Sequence, residues 1–273
     1  MTSHIQKALE AEKRRNAGLR KTESRSLIGA ARDLVVSGGI FEGIASAQLK
    51  SQTMEVNKIL PAVEDKRAIT AYKMLRTRVL QRMRTNNWGT LIVTSAGAGE
   101  GKTVTACNLA VSISSDVNQS VILVDLDLQR PSLATYFGLD VNAGIGDFLS
   151  GDAEIGDIVY SPNDMDRLAI IPNNGRIENS SDFLTSPRMR ELLRWIEDQG
   201  QNSIAIFDMP PVLICDDVLS FLPYVDATLL VAAEQKTERT ALSRTMEMFA
   251  DANLLGVVLN QSREYFSASA DYY

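Results

Sequence analysis

The sequence predicts a doubly wound α/β fold, a mostly parallel sheet with helices on both faces. Three observations predict it. From residue 90 onward, runs of Val, Ile and Leu alternate with helix-like segments, and strands apolar on both sides need cover on both faces. A glycine-rich stretch, Ala96-Gly97-Ala98-Gly99-Glu100-Gly101-Lys102-Thr103, sits between the first of these strands and a helix. Two later strands end in aspartate, at Asp125 and Asp208, and such sheets bind ligands at the carboxyl ends of their strands.

The chain before the sheet is different in character. Residues 1–25 carry Lys7, Lys13, Arg14, Arg15, Arg20, Lys21 and Arg25, with Ile5 and Leu9 one helical turn apart, so a short basic helix is expected. From Ser26 to about Glu64 no periodicity is sustained, and the stretch reads as a tether that orders on a partner. Residues 1–65 are therefore expected to be a basic, partly helical or disordered extension. Over Lys66–Arg84, Ile69, Tyr72, Leu75, Val79 and Met83 recur at helical spacing, which predicts one amphipathic helix. Its apolar stripe suits packing on its own domain, while Lys73, Arg76, Arg82 and Arg84 remain available to an adjacent subunit.

The body, residues 66–260, then reads as strand 90–94, helix 102–115, strand 120–125, short helices through 150, strand 168–171, helix 187–199, strand 203–207, helix 216–221, strand 227–232, helix 238–250 and strand 254–259. Ser186 before Pro187 supplies an N-cap and a first helical position. The tail, residues 261–273, is polar but holds Tyr265, Tyr272 and Tyr273. Those aromatics suit either a docked terminus or a chance cluster.

Length and composition bound the chemistry. The chain has 273 residues, of which 45% are hydrophobic, enough to bury one large core. No window of eighteen apolar residues and no signal-peptide pattern is present, so a cytoplasmic protein without a transmembrane segment of its own is expected. Cys107 and Cys215 lack metal-ligand spacing and read as core residues. His4 is the single histidine, which excludes histidine-based triads and His-rich zinc sites. The net charge of −6 is unevenly divided: 17 Lys/Arg against 8 Asp/Glu through residue 87, then 11 against 26. This pattern points to self-association or an anionic surface, or to two ordinary solvated faces; an acidic body argues against nucleic acid.

The stretch Ala96–Thr103 has the properties of a phosphate-binding loop. Small residues let successive N–H groups curl round an anion, the next helix presents its positive end, Lys102 adds a full charge, and the Thr103 hydroxyl can reach a magnesium ion. Asp208, after four apolar residues, suits an acid that holds the metal. Asp125 and Asp127 form a pair at a strand end that can divide roles between metal and incoming nucleophile, which makes phosphoryl transfer possible.

Several segments together resemble the bacterial tyrosine kinases of capsule and exopolysaccharide synthesis, a branch of the P-loop ATPases. The resemblance spans about residues 70–260. It rests on Gly99-Glu100-Gly101-Lys102-Thr103, on Leu123-Val124-Asp125-Leu126-Asp127-Leu128-Gln129-Arg130-Pro131, on the segment from Gly138-Leu139 to Gly151, on Phe207-Asp208-Met209-Pro210-Pro211-Val212-Leu213, and on Gly256-Val257-Val258-Leu259-Asn260.

It implies an ATP-dependent, autophosphorylating protein tyrosine kinase. By position, Gly97, Ala98, Gly99, Glu100, Gly101, Lys102, Thr103 and Val104 would take the ATP phosphates. Asn260 would lie near the adenine, Thr103, Asp125 and Asp208 around Mg2+, and Asp127 near the acceptor. Tyr265, Tyr272 and Tyr273 would be autophosphorylation sites. It further implies a homo-oligomer, protein tyrosine substrates, and docking to a membrane polysaccharide copolymerase, or chain-length regulator, that recruits the chain to the inner face of the membrane. The family's Glu-x-x-Arg-x-x-Arg ring motif falls on Thr70, Lys73 and Arg76, and lysine lacks the bidentate fork of arginine. A glycine at position 97 departs from the lysine that related spatial-regulation ATPases carry there. The alternatives are an ATPase switch, or a silent nucleotide-dependent regulator of polysaccharide assembly.

Overall fold

The computed structural model describes Phe41, residues 44–178 and residues 180–262. The expected basic helix in residues 1–25 and the tyrosines of the tail lie outside the described residues. The strands are β1 (Ala45–Ala47), β2 (Thr90–Ser95), β3 (Ser120–Asp125), β4 (Tyr160–Pro162), β5 (Leu168–Ile171), β6 (Ser203–Asp208), β7 (Ala227–Ala233) and β8 (Leu254–Asn260). The helices are α1 (Ser51–Val56), α2 (Lys66–Asn86), α3 (Lys102–Ser114), α4 (Leu133–Phe137), α5 (Ile145–Ser150), α6 (Ile155–Ile158), α7 (Ser180–Leu184), α8 (Pro187–Glu197), α9 (Asp217–Phe221) and α10 (Arg239–Met248).

The strands form one sheet in the order β1-β4-β5-β3-β6-β2-β7-β8, parallel throughout except for the β4–β5 pair. Alternate residues of each strand feed separate cores. Leu91, Val93, Val121, Leu123, Ile204 and Ile206 face α3, while Ile92, Ile122, Val124, Ala205 and Phe207 join Leu192 and Ile196 of α8. Both faces are thus covered, which is why the strands carry no polar alternation. The register matters most for chemistry: Asp125 is paired directly with Asp208 across β3 and β6, and Val93 of β2 with Asp208 on the other side. Three strand ends therefore meet at one level, where the chain leaves β2 for the glycine-rich loop.

Helix ends follow local chemistry. Ser186 accepts a hydrogen bond from the Met189 amide at 3.1 Å, with Pro187 in the first turn of α8. Asp65 caps α2 through the Arg67 amide, and Asn87 closes that helix in the left-handed region at φ 57°. On α2, Val79, Leu80 and Met83 are buried, and Arg76 Nη1 donates to the Ser112 carbonyl of α3 at 2.9 Å.

Residues 44–64 correct the expectation of a tether. Here β1 pairs with β4, Met54, Ile59 and Leu60 are buried in the core beside α3, and Asn108 holds the segment through the Leu60 amide and the Lys58 carbonyl. A three-residue strand and isolated apolar anchors leave no period for a sequence window to detect. The buried amide of Asn108 supplies the partners this irregular backbone needs.

Candidate active site

The phosphate loop links β2 to α3, and its small residues are a geometric requirement. Gly99 and Gly101 adopt φ of +70° and +90°, where a side chain would be strained. A Cβ on Gly101 would also run into the Asn260 amide. The loop is braced from inside by Glu100, whose buried carboxylate accepts from the Ala96 amide at 3.0 Å. It is braced from outside by Asn260 Nδ2, which donates to the Glu100 carbonyl at 2.9 Å, and by Lys236 Nζ and Gln261 Nε2, which donate to the Gly99 carbonyl at 2.8 and 3.3 Å. Ala98 is exposed on the loop, and Val104 is partly buried with its side chain packed against the core.

Lys102 Nζ lies 2.9 Å from Asp127 Oδ2, 3.4 Å from both oxygens of Asp208 and 3.2 Å from Thr103 Oγ1. The Thr103 hydroxyl donates to Asp208 Oδ2 at 2.6 Å. Burial pulls the lysine proton affinity down, but Asp208, Asp127 and Asp125 outweigh it and hold Lys102 above the ordinary lysine range. Burial raises the Asp208 carboxyl, against the pull of Lys102 and Thr103.

Asp125 is held differently, although it is paired with Asp208 in the sheet. Its Oδ2 accepts from the Ser132 and Leu133 amides at 2.8 and 2.9 Å, so it anchors the start of α4. Burial and then the charge of Asp208 push its carboxyl up to about 7. Asp127 is carried on the next turn, where its Oδ1 accepts from the Arg130 amide at 3.1 Å while Oδ2 meets Lys102. Thus the structure brings Lys102, Thr103, Asp127 and Asp208 together, keeps Asp125 behind them on backbone amides, and puts Asn260 on the loop's outer edge.

Among the described residues no group of three or more His, Cys, Asp or Glu is arranged to hold a metal alone. Magnesium bound with polyphosphate needs only one or two protein ligands, and the Thr103 hydroxyl beside the Asp208 carboxylate is such a donor set. Lys236, Gln261, Gln129, Ser180 and Asp217 are neighbours of the site that the sequence reading did not assign. Lys236 was within reach of sequence reasoning, as a cation just past the carboxyl end of β7.

Among the described residues no helix is long and apolar enough to cross a membrane. The sequence matches the family described as ParA: NUBPL iron-transfer P-loop NTPase over residues 87–271. It is 28% identical over 204 residues to the tyrosine-protein kinase YwqD of Bacillus subtilis, covering 74% of this chain and 84% of YwqD. It is also 28% identical over 217 residues to the putative tyrosine-protein kinase EpsB of Ralstonia nicotianae, covering 79% of this chain but spanning only 28% of EpsB. Among solved structures, the kinase domain of Escherichia coli tyrosine kinase ETK superposes with a TM-score of 0.64 at 27% identity, covering 75% of this chain and 80% of that one. With the phosphate loop and the paired strand-end acids in agreement, the chain belongs to the ParA-type P-loop NTPases, and tyrosine-protein kinases are among the members it is similar to.

Proposed function

We propose that the chain transfers the γ-phosphoryl group of ATP to tyrosines of its own tail, Tyr265, Tyr272 and Tyr273, in the control of exopolysaccharide or capsule synthesis. The observation that carries this reading is the placing of Lys102 between Asp208 and Asp127. One acid, hydrogen-bonded to Thr103, is assigned to the metal side, and the other, on its own turn, to the acceptor side.

The residues divide the work as follows. Loop amides from Gly97 to Thr103 and the Lys102 ammonium bind the β- and γ-phosphates. Thr103 and Asp208 would hold magnesium, which would supply charge neutralisation to the phosphates. Asp127 orients the acceptor hydroxyl and accepts its proton, while Asp125 fixes the turn on which Asp127 rides. Asn260, with its Nδ2 committed to the Glu100 carbonyl, keeps Oδ1 as an acceptor suited to the amino group of adenine. Little covalent chemistry is asked of the protein, so positioning and charge carry the rate.

Residues 1–65 and the membrane partner belong to the same proposal: docking to a polysaccharide copolymerase, aided by the basic front of the chain. Incubation with labelled ATP and magnesium tests the reading. Label on tyrosine that disappears in Lys102→Met and in the joint Tyr265, Tyr272 and Tyr273→Phe variant supports it. Hydrolysis with no labelled protein, even with the cognate membrane segment added, overturns it in favour of an ATPase switch.

A further inference from the structure

Asp217 is buried to 1% exposure and has no part in the chemistry assigned above. Its Oδ2 accepts a hydrogen bond from Ser180 Oγ at 2.6 Å, and Ser180 Oγ in turn accepts from Gln129 Nε2 at 3.3 Å. The three residues come from three separate segments. Gln129 lies two residues beyond Asp127 on the turn leaving β3. Asp217 lies nine residues beyond Asp208 and opens α9, which Phe221 holds against Phe207 edge-on at 5.1 Å. Ser180, equally buried, opens α7 between them.

The chain of hydrogen bonds therefore ties the Asp127 turn to the segment that leaves Asp208. A second tie runs beside it, from the Ile177 amide to the Leu128 carbonyl at 2.9 Å. Asp127 gains from such fixing: among the described residues its Oδ1 accepts from the Arg130 amide of the same turn, and its Oδ2 meets Lys102, an ammonium that the phosphates also claim. Burying a carboxylate is costly, and Asp217 meets that cost with the Ser180 hydroxyl and the neighbouring Cys215 thiol. An apolar residue would fill the same space at less expense, but it could not orient Ser180 and, through it, Gln129.

We propose that Asp217 is a positioning residue for phosphoryl transfer, acting through Ser180 and Gln129 to keep the Asp127 carboxylate facing the reacting groups. The proposal rests on the kinase reading and deepens it. The phosphates are held chiefly by a different loop, which meets Asp127 through Lys102 alone among the described contacts, so the relay acts on turnover more than on nucleotide binding.

The test is a double-mutant cycle with Gln129→Ala, Ser180→Ala, Asp217→Asn and the Gln129→Ala/Asp217→Asn pair, reading kcat and the KM for ATP, with thermal unfolding as a control. Each single change is expected to lower kcat at least about tenfold with KM within about twofold, and the pair to be no worse than the poorer single variant. Losses that multiply, a KM that rises in step with the fall in kcat, or an unchanged kcat overturn the proposal. If Asp217→Asn fails to fold, Gln129→Ala and Ser180→Ala with their double variant form the cycle, under the same criteria. Wild-type protein that hydrolyses ATP without forming phosphotyrosine defeats the kinase reading alone. The same cycle on hydrolysis then decides whether Asp217 positions Asp127.

Discussion

Lys102 Nζ lies 2.9 Å from Asp127 Oδ2 and 3.4 Å from Asp208 Oδ1, so one ammonium neutralises an acid at the end of β6 and an acid on the turn that leaves the neighbouring β3. Asp208 is fully buried and Asp127 nearly so. Removing one partner from such a group leaves uncompensated buried charge, at a cost of about 3–5 kcal/mol. Lys102→Met is therefore expected to lower the Tm as well as abolish nucleotide binding. Adding Asp127→Asn should restore part of the Tm and none of the activity. Thermal unfolding of the three proteins checks this, and a single variant as stable as wild type would contradict it.

Asp125 gives a pH dependence with a definite sign. Its carboxyl is raised to about 7 in the folded protein, so the folded state holds that proton more tightly than the unfolded chain does. Below the ordinary carboxylate value of about 4 both states are protonated and the residue costs nothing. Between about pH 4 and 7 the unfolded chain ionises first and stability drains away; above that range the loss is constant, on the order of a few kcal/mol. Asp208 is shifted in the same direction by its own burial. Relative to wild type, Asp125→Asn should gain stability from pH 4 to 7 and level off above. Denaturant titrations across that range measure the difference, and a pH-independent gap would refute the assignment.

The fold was legible because the central strands are apolar on both faces and the helices between them have the right period. Elements from Thr90 to Asn260 fall within a residue or two of their expected bounds, except where the chain is short and irregular, as at β4. The site was legible as a set of residue types, since glycine, lysine, threonine and strand-end aspartates each declare their chemistry. Their division of labour was not. Nothing in Asp125-Leu126-Asp127 says that the first acid turns to the Ser132 and Leu133 amides while the second turns to Lys102, because that choice depends on where α4 begins. The Asp217–Ser180–Gln129 relay was hidden for a related reason, being three unremarkable residues until the sheet brings their loops together.

Asn260 and Gly101 make a prediction about nucleotide affinity. With Nδ2 on the Glu100 carbonyl, Asn260 holds the loop in the shape that receives phosphate. Asn260→Ala should weaken ATP and ADP binding by about tenfold, the value of about one hydrogen bond in a part-buried setting. Gly101→Ala should abolish binding, since the new methyl group would need a left-handed backbone and the space of that same amide. Calorimetric titration separates the two outcomes. An alanine at 101 that still binds nucleotide would show that the loop relaxes.

The basic helix α2 carries the last prediction. Thr70 and Lys73 are exposed, whereas Arg76 is half-buried and donates to the Ser112 carbonyl inside its own subunit. The ring motif that the sequence resembles thus has one of its positions spent on the α2–α3 contact. Arg76→Ala should cost about 1 kcal/mol of subunit stability, as the loss of a charge-assisted hydrogen bond does. Lys73→Glu should leave stability unchanged, because that side chain is solvated. If the acidic body of a neighbour docks on this helix, Lys73→Glu and raised salt should both shift sedimentation toward monomer, since exposed charges act through a screened field. Arg76→Ala should then shift it less than Lys73→Glu does, despite being the less stable protein. Assembly that ignores both salt and Lys73 would place the subunit contact on another face.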